Sequence, residues 1–438
     1  MNLTRQIEEK TVTEEESYVD MNQVVTIILG GGEGKRMFPL TQTRCKPAVS
    51  FGGRYRLIDI PVSNAINSHC HKIFIVTQFL SSYLHRHIFQ TYRPDMLSSG
   101  FIDVLAAEQK PMSTSWYQGT ADAVRRNIEY LIDTPGEYFL ILSGDQLYHM
   151  DFRKMVGFAR KNDAELVIAS KTVDQSQVGR LGILQIDDDQ FVTDFVEKPS
   201  TEKELEGFTL SPRFNDFETD TYLGSMGIYL FKRKALIDLL LNDSREDFGK
   251  HLIPTQMKAG GVAAYIHEGY WEDIGTIGAY HEANLDLTRD LPKFNLYDDI
   301  FPIYTSRSDL PATKIRETEV NHSILCEGGI ISASRIEGSV IGPRSVIKEG
   351  SVVKNSYIIG NNFYASPVPF SPKFPEKMEI GENCRIENAI VDKNVLIGKN
   401  VKLINKNALQ HYDSRDVYIR EGVIIVRQGA FLPDGFEL

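Results

Sequence analysis

The first sustained apolar run of the chain, Gln23-Val-Val-Thr-Ile-Ile-Leu29, shows no polar alternation. That is the pattern of a strand buried on both faces, as in a parallel sheet. Similar runs recur at Lys72–Thr77, Tyr138–Leu142 and Glu165–Ser170. Between them, Ala121–Ile132 and Phe152–Lys161 carry apolar residues at helical spacing. Strands alternating with helices predict an α/β domain with a Rossmann-like, mostly parallel sheet.

The texture changes near Leu291. Leu291 to Thr313 holds three prolines, several aromatic residues and little periodicity, and is expected to be a linker. A six-residue rhythm follows: Ile324, Ile330 and Ile336, then Val340, Val346, Val352 and Ile358, then Val391, Ile397 and Leu403. One aliphatic residue in six, punctuated by Gly342, Gly350, Gly381 and Gly398, predicts a parallel β-helix whose flat faces bury that residue on the next coil. Asn361 to Glu379 breaks the rhythm with four prolines and is expected to leave the solenoid as a loop. The expected organisation is a flexible tail over 1–21, an α/β domain over 22–290, a linker over 291–315 and a β-helix over 316–438.

A length of 438 residues fits two or three domains. Hydrophobic residues at 42% can fill a sizeable core, which excludes general disorder. The net charge of -11 argues against a nucleic-acid partner, which demands a basic face, but not against a local basic pocket for a small anion. Cys45, Cys70, Cys326 and Cys384 are far apart, without metal-type spacing, and are expected to be free thiols. No run of about 18 apolar residues predicts a membrane span. Met1 to Asp20 is rich in Glu, with neither the apolar stretch of a secretory signal nor the basic character of a transit peptide. The expectation is a cytoplasmic protein.

Four places carry candidate chemistry. Gly30-Gly31-Gly32-Glu33-Gly34 directly follows the first strand, with Arg36, Arg44 and Lys46 close behind. Backbone N–H groups in such a turn can approach phosphate oxygens, although a tight structural turn has the same composition. It matches neither a P-loop nor G-x-G-x-x-G. The basic side chains favour a polyphosphate. Asp145 ends the apolar run at Leu142, where ligands of parallel sheets bind and a carboxylate can hold Mg²⁺. Asp145 could instead cap the helix at Asp151, but Asp151 can do that itself. A second acidic cluster, Trp271-Glu272-Asp273, could share a metal with it, a pairing that periodicity alone does not justify. Gly119-Thr120 before a helix and Glu197-Lys198-Pro199 at a strand end complete the set.

These segments resemble the ADP-glucose pyrophosphorylases, within the sugar-nucleotide pyrophosphorylases, and most closely the plant and plant-like bacterial branch. The resemblance rests on Gly30-Gly-Gly-Glu-Gly-Lys-Arg-Met-Phe-Pro-Leu-Thr41, Lys46-Pro-Ala-Val49, Tyr55 to Asn64 and Gln118-Gly-Thr-Ala-Asp-Ala-Val124. It extends through Ser143-Gly-Asp-Gln-Leu-Tyr148, Glu197-Lys-Pro199, Ser225-Met-Gly-Ile-Tyr229, Trp271-Glu-Asp-Ile-Gly-Thr276 and Tyr418-Ile-Arg-Glu-Gly422. The resemblance implies a GT-A-like nucleotidyltransferase domain, a left-handed β-helix and a homotetramer. It implies that Gly30, Gly31, Gly32 and Arg36 cradle the ATP phosphates beside Lys46, and that Gln109 and Gly119 face adenine. Tyr117, Gly182, Glu197, Lys198 and Ser225 would hold glucose 1-phosphate, and Asp145 and Asp273 would bind Mg²⁺. A phosphorylated or anionic effector is implied where the two domains meet, with Arg44, Arg56, Arg420 and Arg427 as candidate contacts.

The chain departs from the family at Lys35, where Thr is usual, and at Gln428, where the last strand usually carries Lys. Catalytically weakened plant subunits tend to lose the loop Arg, the Lys-Pro or the Asp, and here Arg36, Lys46 and Asp145 are present. An enzyme using another nucleotide and a non-catalytic regulatory subunit are the alternatives. An acyltransferase on the β-helix would need a histidine among the coils, and His322 and His411 lie only at their ends.

Overall fold

Val24–Leu29 lies inside a nine-stranded sheet, as its unbroken apolar sequence requires. The computed structural model describes residues 19–92, 100–108, 115–211, 221–365 and 375–438. The sheet strands in chain order are β1 Val24–Leu29, β2 Lys72–Thr77, β3 Phe101–Ala106, β4 Tyr138–Ser143, β5 Leu166–Val173, β6 Gly182–Ile186, β7 Val192–Glu197, β8 Tyr222–Lys232 and β9 Val262–Ile266. β4, β1, β2 and β3 run parallel side by side. β8 pairs antiparallel with β5 along one edge and with β6 and then β4 along the other, and β9 lies parallel to β5. β6 and β7 form an antiparallel pair.

Side chains of β1 alternate between two cores. Val24 and Ile28 join the core that includes Ile60, Leu84 and Phe152. Val25 and Ile27 join the opposite one with Val124, Leu236 and Ile253. Helices thus cover both faces of the sheet, which is why its central strands can be apolar throughout. The helix at Phe152–Lys161 matches the sequence pattern, with Asp151 as its cap through a bond from the Arg153 amide. The pattern over 121–132 divides into Thr120–Arg125 and Ile128–Asp133. Asn127 sits at the break, and its side chain bonds the Ala123 carbonyl and the Tyr117 hydroxyl.

No helix or strand forms over 291–313, yet the segment is strapped to the α/β domain. Phe294 is buried, the Asn67 amide donates to the Pro302 carbonyl, and Thr305 donates to Asp59. Lys314–Ile315 already pairs with Ile330–Ile331, so the first coil starts inside the predicted linker.

Short parallel strands then stack into three faces, one of them built from 319–321, 335–337, 352–354, 385–387 and 402–403. The inward residues are Ile331, Ile336, Ile341, Ile347, Val353, Ile358, Ile386, Val391, Ile397 and Leu403, each at most 4% exposed. Their spacing mixes steps of five and six: five, five, six, six and five from Ile331 to Ile358, then five, six and six from Ile386 to Leu403. The strict six-residue register is therefore corrected at several positions. Ile330 points outward and is 43% exposed, with Ile331 inside in its place. Val340 is buried outside the coil, in the core shared with the α/β domain.

That shared core joins the domains. Val340, Tyr357, Ile359, Ile390, Val423 and Ile425 of the β-helix cluster with Phe51, Tyr280 and Leu287. The Tyr357 ring stands 6.0 Å from the Tyr280 ring, and its hydroxyl accepts from the Gly53 amide at 3.2 Å. Fully burying each aliphatic side chain contributes about 1.5–3 kcal/mol, so the two domains form a continuous body rather than beads on a linker.

Candidate active site

The glycine run leaves β1 at the carboxyl edge of the sheet, where ligands of open α/β sheets bind. Gly30 donates to Val76 O at 2.8 Å, tying the start of the loop to β2. Gly34 has φ +65°, and a side chain there would press on Lys46 and Thr41 at 3.1 Å. This turn brings Arg36 and Lys46 back over the strand ends. They line a cavity of about 530 Å³ with Gly31, Gly32, Asp145 and Asp273. Tyr117, Gly119, Gly182, Glu197, Lys198 and Ser225 line it too. Gly30 is not among the lining residues: it is buried where the loop starts, packed against Leu84, Ile75 and the Val76 carbonyl. Gln109 lies outside the described residues.

The two carboxylates that were distant in sequence converge. Strand 271–273 pairs antiparallel with strand 146–148, which follows Asp145. Lys46 Nζ stands between them, 2.7 Å from Asp145 and 3.5 Å from Asp273. Burial pushes both carboxyls up. At Asp145 the Lys46 ammonium and its hydrogen bond, the Ser143 hydroxyl and Arg36 outweigh burial, and it is held below the usual range. Asp273 rises above it, since burial and the neighbouring Asp145 charge outweigh Lys46 and Arg36. Among the described residues no three His, Cys, Asp or Glu side chains gather as a metal cage. Two carboxylates opening on a phosphate-sized cavity fit Mg²⁺, which is usually held by one or two carboxylates plus substrate phosphates.

At the other end of the cavity, Glu197 and Lys198 close β7. Glu197 is packed by two glycines: a Cβ at Gly182 or at Gly249 would come within 2.8 Å of its carboxylate. Lys198 adopts φ +51° while its amide donates to Leu181 O at 2.9 Å. Its side chain is 57% exposed, 3.4 Å from Glu197. Lys35 is not among the lining residues, and its exposed ammonium pairs at 2.9 Å with Glu33, which does line the cavity.

The remaining arginines separate. Arg44 is buried and pairs with Asp392 of the β-helix at 2.5 Å, while its Nε has no partner among the described residues. Burial, Asp59 and the nearby Arg44 act on Arg56, with a net fall in its pKa. Arg420 is committed to Asp413 at 2.7 Å, and Arg427 to Asp416 at 2.6 Å. Gln428 accepts from the Thr43 hydroxyl at 2.8 Å.

Several residues carry no sequence signal. Gln78 holds the Tyr117 amide at 2.6 Å, and Arg180 and Asp247 line the cavity. Lys393 is pushed down to about 7 by burial and by Arg56 and Arg44, with Asp392 opposing and Arg344 adding to the fall. Nothing in an isolated Val-Asp-Lys-Asn stretch reveals that three arginines converge on it.

A glycine-rich strand end facing paired carboxylates and a lysine defines a phosphate-handling α/β enzyme of the nucleotidyl-transfer class. The nucleotidyl transferase family model matches residues 25–290, more than half of the chain, and the chain belongs to this family. The model of the GLGC left-handed parallel β-helix domain matches residues 308–436. The two together are the signature of the ADP-glucose pyrophosphorylases, and the chain is a sugar-1-phosphate nucleotidyltransferase of that type. Among the described residues no helix is long and apolar enough to cross a membrane.

Proposed function

We propose that the chain is a glucose-1-phosphate adenylyltransferase, converting ATP and α-D-glucose 1-phosphate into ADP-glucose and diphosphate for glycogen or starch synthesis. The observation that carries this is the single cavity in which the glycine loop, Arg36, the Lys46–Asp145–Asp273 cluster and the Glu197–Lys198 end face one another.

A sugar phosphate is mostly dianionic at neutral pH, its second pKa being about 6, so its oxygen attacks the α-phosphorus without a general base. The P–O bond to diphosphate breaks as the new P–O bond forms. The work of the protein is positioning and charge stabilisation. The glycine-loop amides and Arg36 hold the triphosphate and stabilise the leaving diphosphate. Lys198 fixes the sugar phosphate, with Glu197 and Ser225 on the glucose hydroxyls and Tyr117 and Gly182 shaping the pocket. Lys46 keeps Asp145 ionised. Mg²⁺ on Asp145 and Asp273 would supply neutralisation of phosphate charge.

The test is diphosphate release by the purified chain from glucose 1-phosphate with ATP, dTTP, GTP and UTP in turn. Turnover with ATP is expected to dominate. Preference for another nucleotide would overturn the adenylyl assignment, and no turnover with any would favour a regulatory subunit.

Regulation belongs to the same reading: a phosphorylated metabolite binds at the domain junction. Supporting it are the unpartnered Arg44 Nε and the three arginines, Arg56, Arg44 and Arg344, whose charges act on Lys393 with only Asp392 opposing them. Arg420 and Arg427, tied to their own aspartates, are the weaker half of the candidate set.

A further inference from the structure

The last hairpin of the β-helix, Val417–Arg420 turning into Val423–Val426, has a two-residue turn of Glu421 and Gly422. Both residues have positive φ, +52° and +79°. Such a turn favours Asn-Gly, because a side chain with a Cβ is strained in the left-handed region. A glutamate there needs a compensating contact, and strained residues of this kind cluster where their side chains serve a site.

The contact is on the other domain. Glu421 Oε2 accepts from the Thr276 hydroxyl at 2.9 Å and from the Gly278 amide at 2.8 Å. Thr276 is the N-cap of the ten-residue helix Ile277–Asp286. The carboxylate satisfies one orphan amide of the first turn, that of Gly278, and faces the positive end of the helix. The fit is specific to glycine at 278, where a Cβ would stand 2.3 Å from the Glu421 oxygen.

What this end of the helix carries is Asp273, three residues before Thr276, through a tight turn closed by the Gly275 amide on Asp273 O at 2.8 Å. Gly275 is also packed by Arg36, whose guanidinium would be 3.1 Å from a Cβ there. The same hairpin also meets the chain segment that follows Arg36. The Tyr418 ring meets Phe38 edge-on at 5.4 Å, and Arg420 lies over that ring at 5.7 Å. The hairpin therefore braces both chain segments that bring charge to the phosphates.

We propose that Glu421 is a positioning residue of the nucleotidyl-transfer centre: from the β-helix it fixes the Thr276 cap and thereby the Asp273 loop against Arg36. The inference rests on the functional reading given above. It explains why the hairpin tolerates a strained glutamate, and it makes the β-helix part of the catalytic apparatus.

The test uses the full-length protein with Glu421→Ala and Glu421→Gln, read by steady-state kinetics, Mg²⁺ titration, thermal unfolding and amide hydrogen exchange over 271–279. A small displacement of a charged group costs up to about a hundredfold in rate, so Glu421→Ala is expected to lower kcat by about ten- to a hundredfold. It should also raise the Mg²⁺ needed for half-maximal rate, with KM for glucose 1-phosphate nearly unchanged and exchange over 271–279 accelerated. Glu421→Gln, which keeps an acceptor for Thr276 and Gly278, should recover most of the rate. Parental kcat and Mg²⁺ dependence in Glu421→Ala would overturn the proposal. So would a loss that Gln fails to rescue and that follows a lowered unfolding temperature, since that is structural support only. If the parent itself turns over no glucose 1-phosphate, the functional reading fails, and the exchange data still decide whether Glu421 holds the Asp273 loop.

Discussion

Replacing Asp392 by Asn tests the charge balance where the domains meet. Arg44 and Asp392 have side chains only 6% and 2% exposed and lie 2.5 Å apart. Asparagine keeps the size of the side chain and one acceptor for Arg44, so packing is preserved. What is lost is the negative charge that pairs with Arg44 and favours the charged form of Lys393. Breaking a buried ion pair from one side costs about 3–5 kcal/mol, because the remaining charge stays buried without compensation. The retained acceptor places the expected loss at the lower end, about 3 kcal/mol. Lys393, already pushed down to about 7, loses the neighbour that favours its charge and titrates lower still, which limits the loss. An anion can replace the missing charge. At a hundred times its Kd, a ligand stabilises by about 2.7 kcal/mol, nearly the size of the deficit. Equilibrium urea denaturation is the assay, in phosphate-free buffer and in saturating inorganic phosphate, with chloride matching ionic strength. The variant should be less stable without phosphate and should regain most of the difference with it. Parental stability in phosphate-free buffer, or a deficit that phosphate leaves untouched, would refute the reasoning.

Lys198→Ala should raise KM for glucose 1-phosphate by about tenfold or more, since a charge-assisted bond to phosphate is worth about 1.5–3 kcal/mol, and should leave KM for ATP nearly unchanged; equal shifts in both would make Lys198 structural. Asp145→Asn should abolish most turnover at a parental unfolding temperature, and near-normal turnover would remove Asp145 from the centre. The charged form of Lys393 is disfavoured in the fold, so its penalty is in force below about 7 and is relieved as pH rises toward 10.5. Anion affinity at the junction, measured by calorimetry, should accordingly fall as pH rises through about 7, and a flat profile would exclude Lys393 as a contact. His281 donates through Nε2–H to the Asn355 carbonyl across the domain boundary at 3.0 Å, and burial pushes its pKa from 6.5 down to about 4. Its contribution is complete above 6.5 and is lost as pH falls from 6.5 toward 4, at most about 3 kcal/mol, so His281→Gln should flatten the acid limb of stability.

The buried strands were legible in the sequence because an apolar run long enough to cross a sheet has few other uses. Lys72–Thr77 and the helix at Phe152–Lys161 match the pattern for that reason. The glycine loop and the carboxylate after β4 were equally visible, since strand ends of a parallel sheet are where backbone amides and acids meet ligands. The β-helix was legible as a class, but its register was not. Steps of five and six residues are mixed, so only the fold decides that Ile331 points in and Ile330 out. Tertiary structure alone placed Asp273 beside Asp145, with Lys46 between them, because that pairing depends on two short strands distant in the chain (Gln146 lies opposite Asp273, and the Trp271 indole donates to the Gln146 side chain at 3.2 Å). It alone showed that Val340 and Tyr357 serve the domain junction, that Lys393 sits among arginines, and that Glu421 reaches Thr276. Local sequence carries hydrophobic period and turn chemistry, which act over a few residues. Burial of charge and the meeting of side chains across domains depend on the whole chain closing on itself.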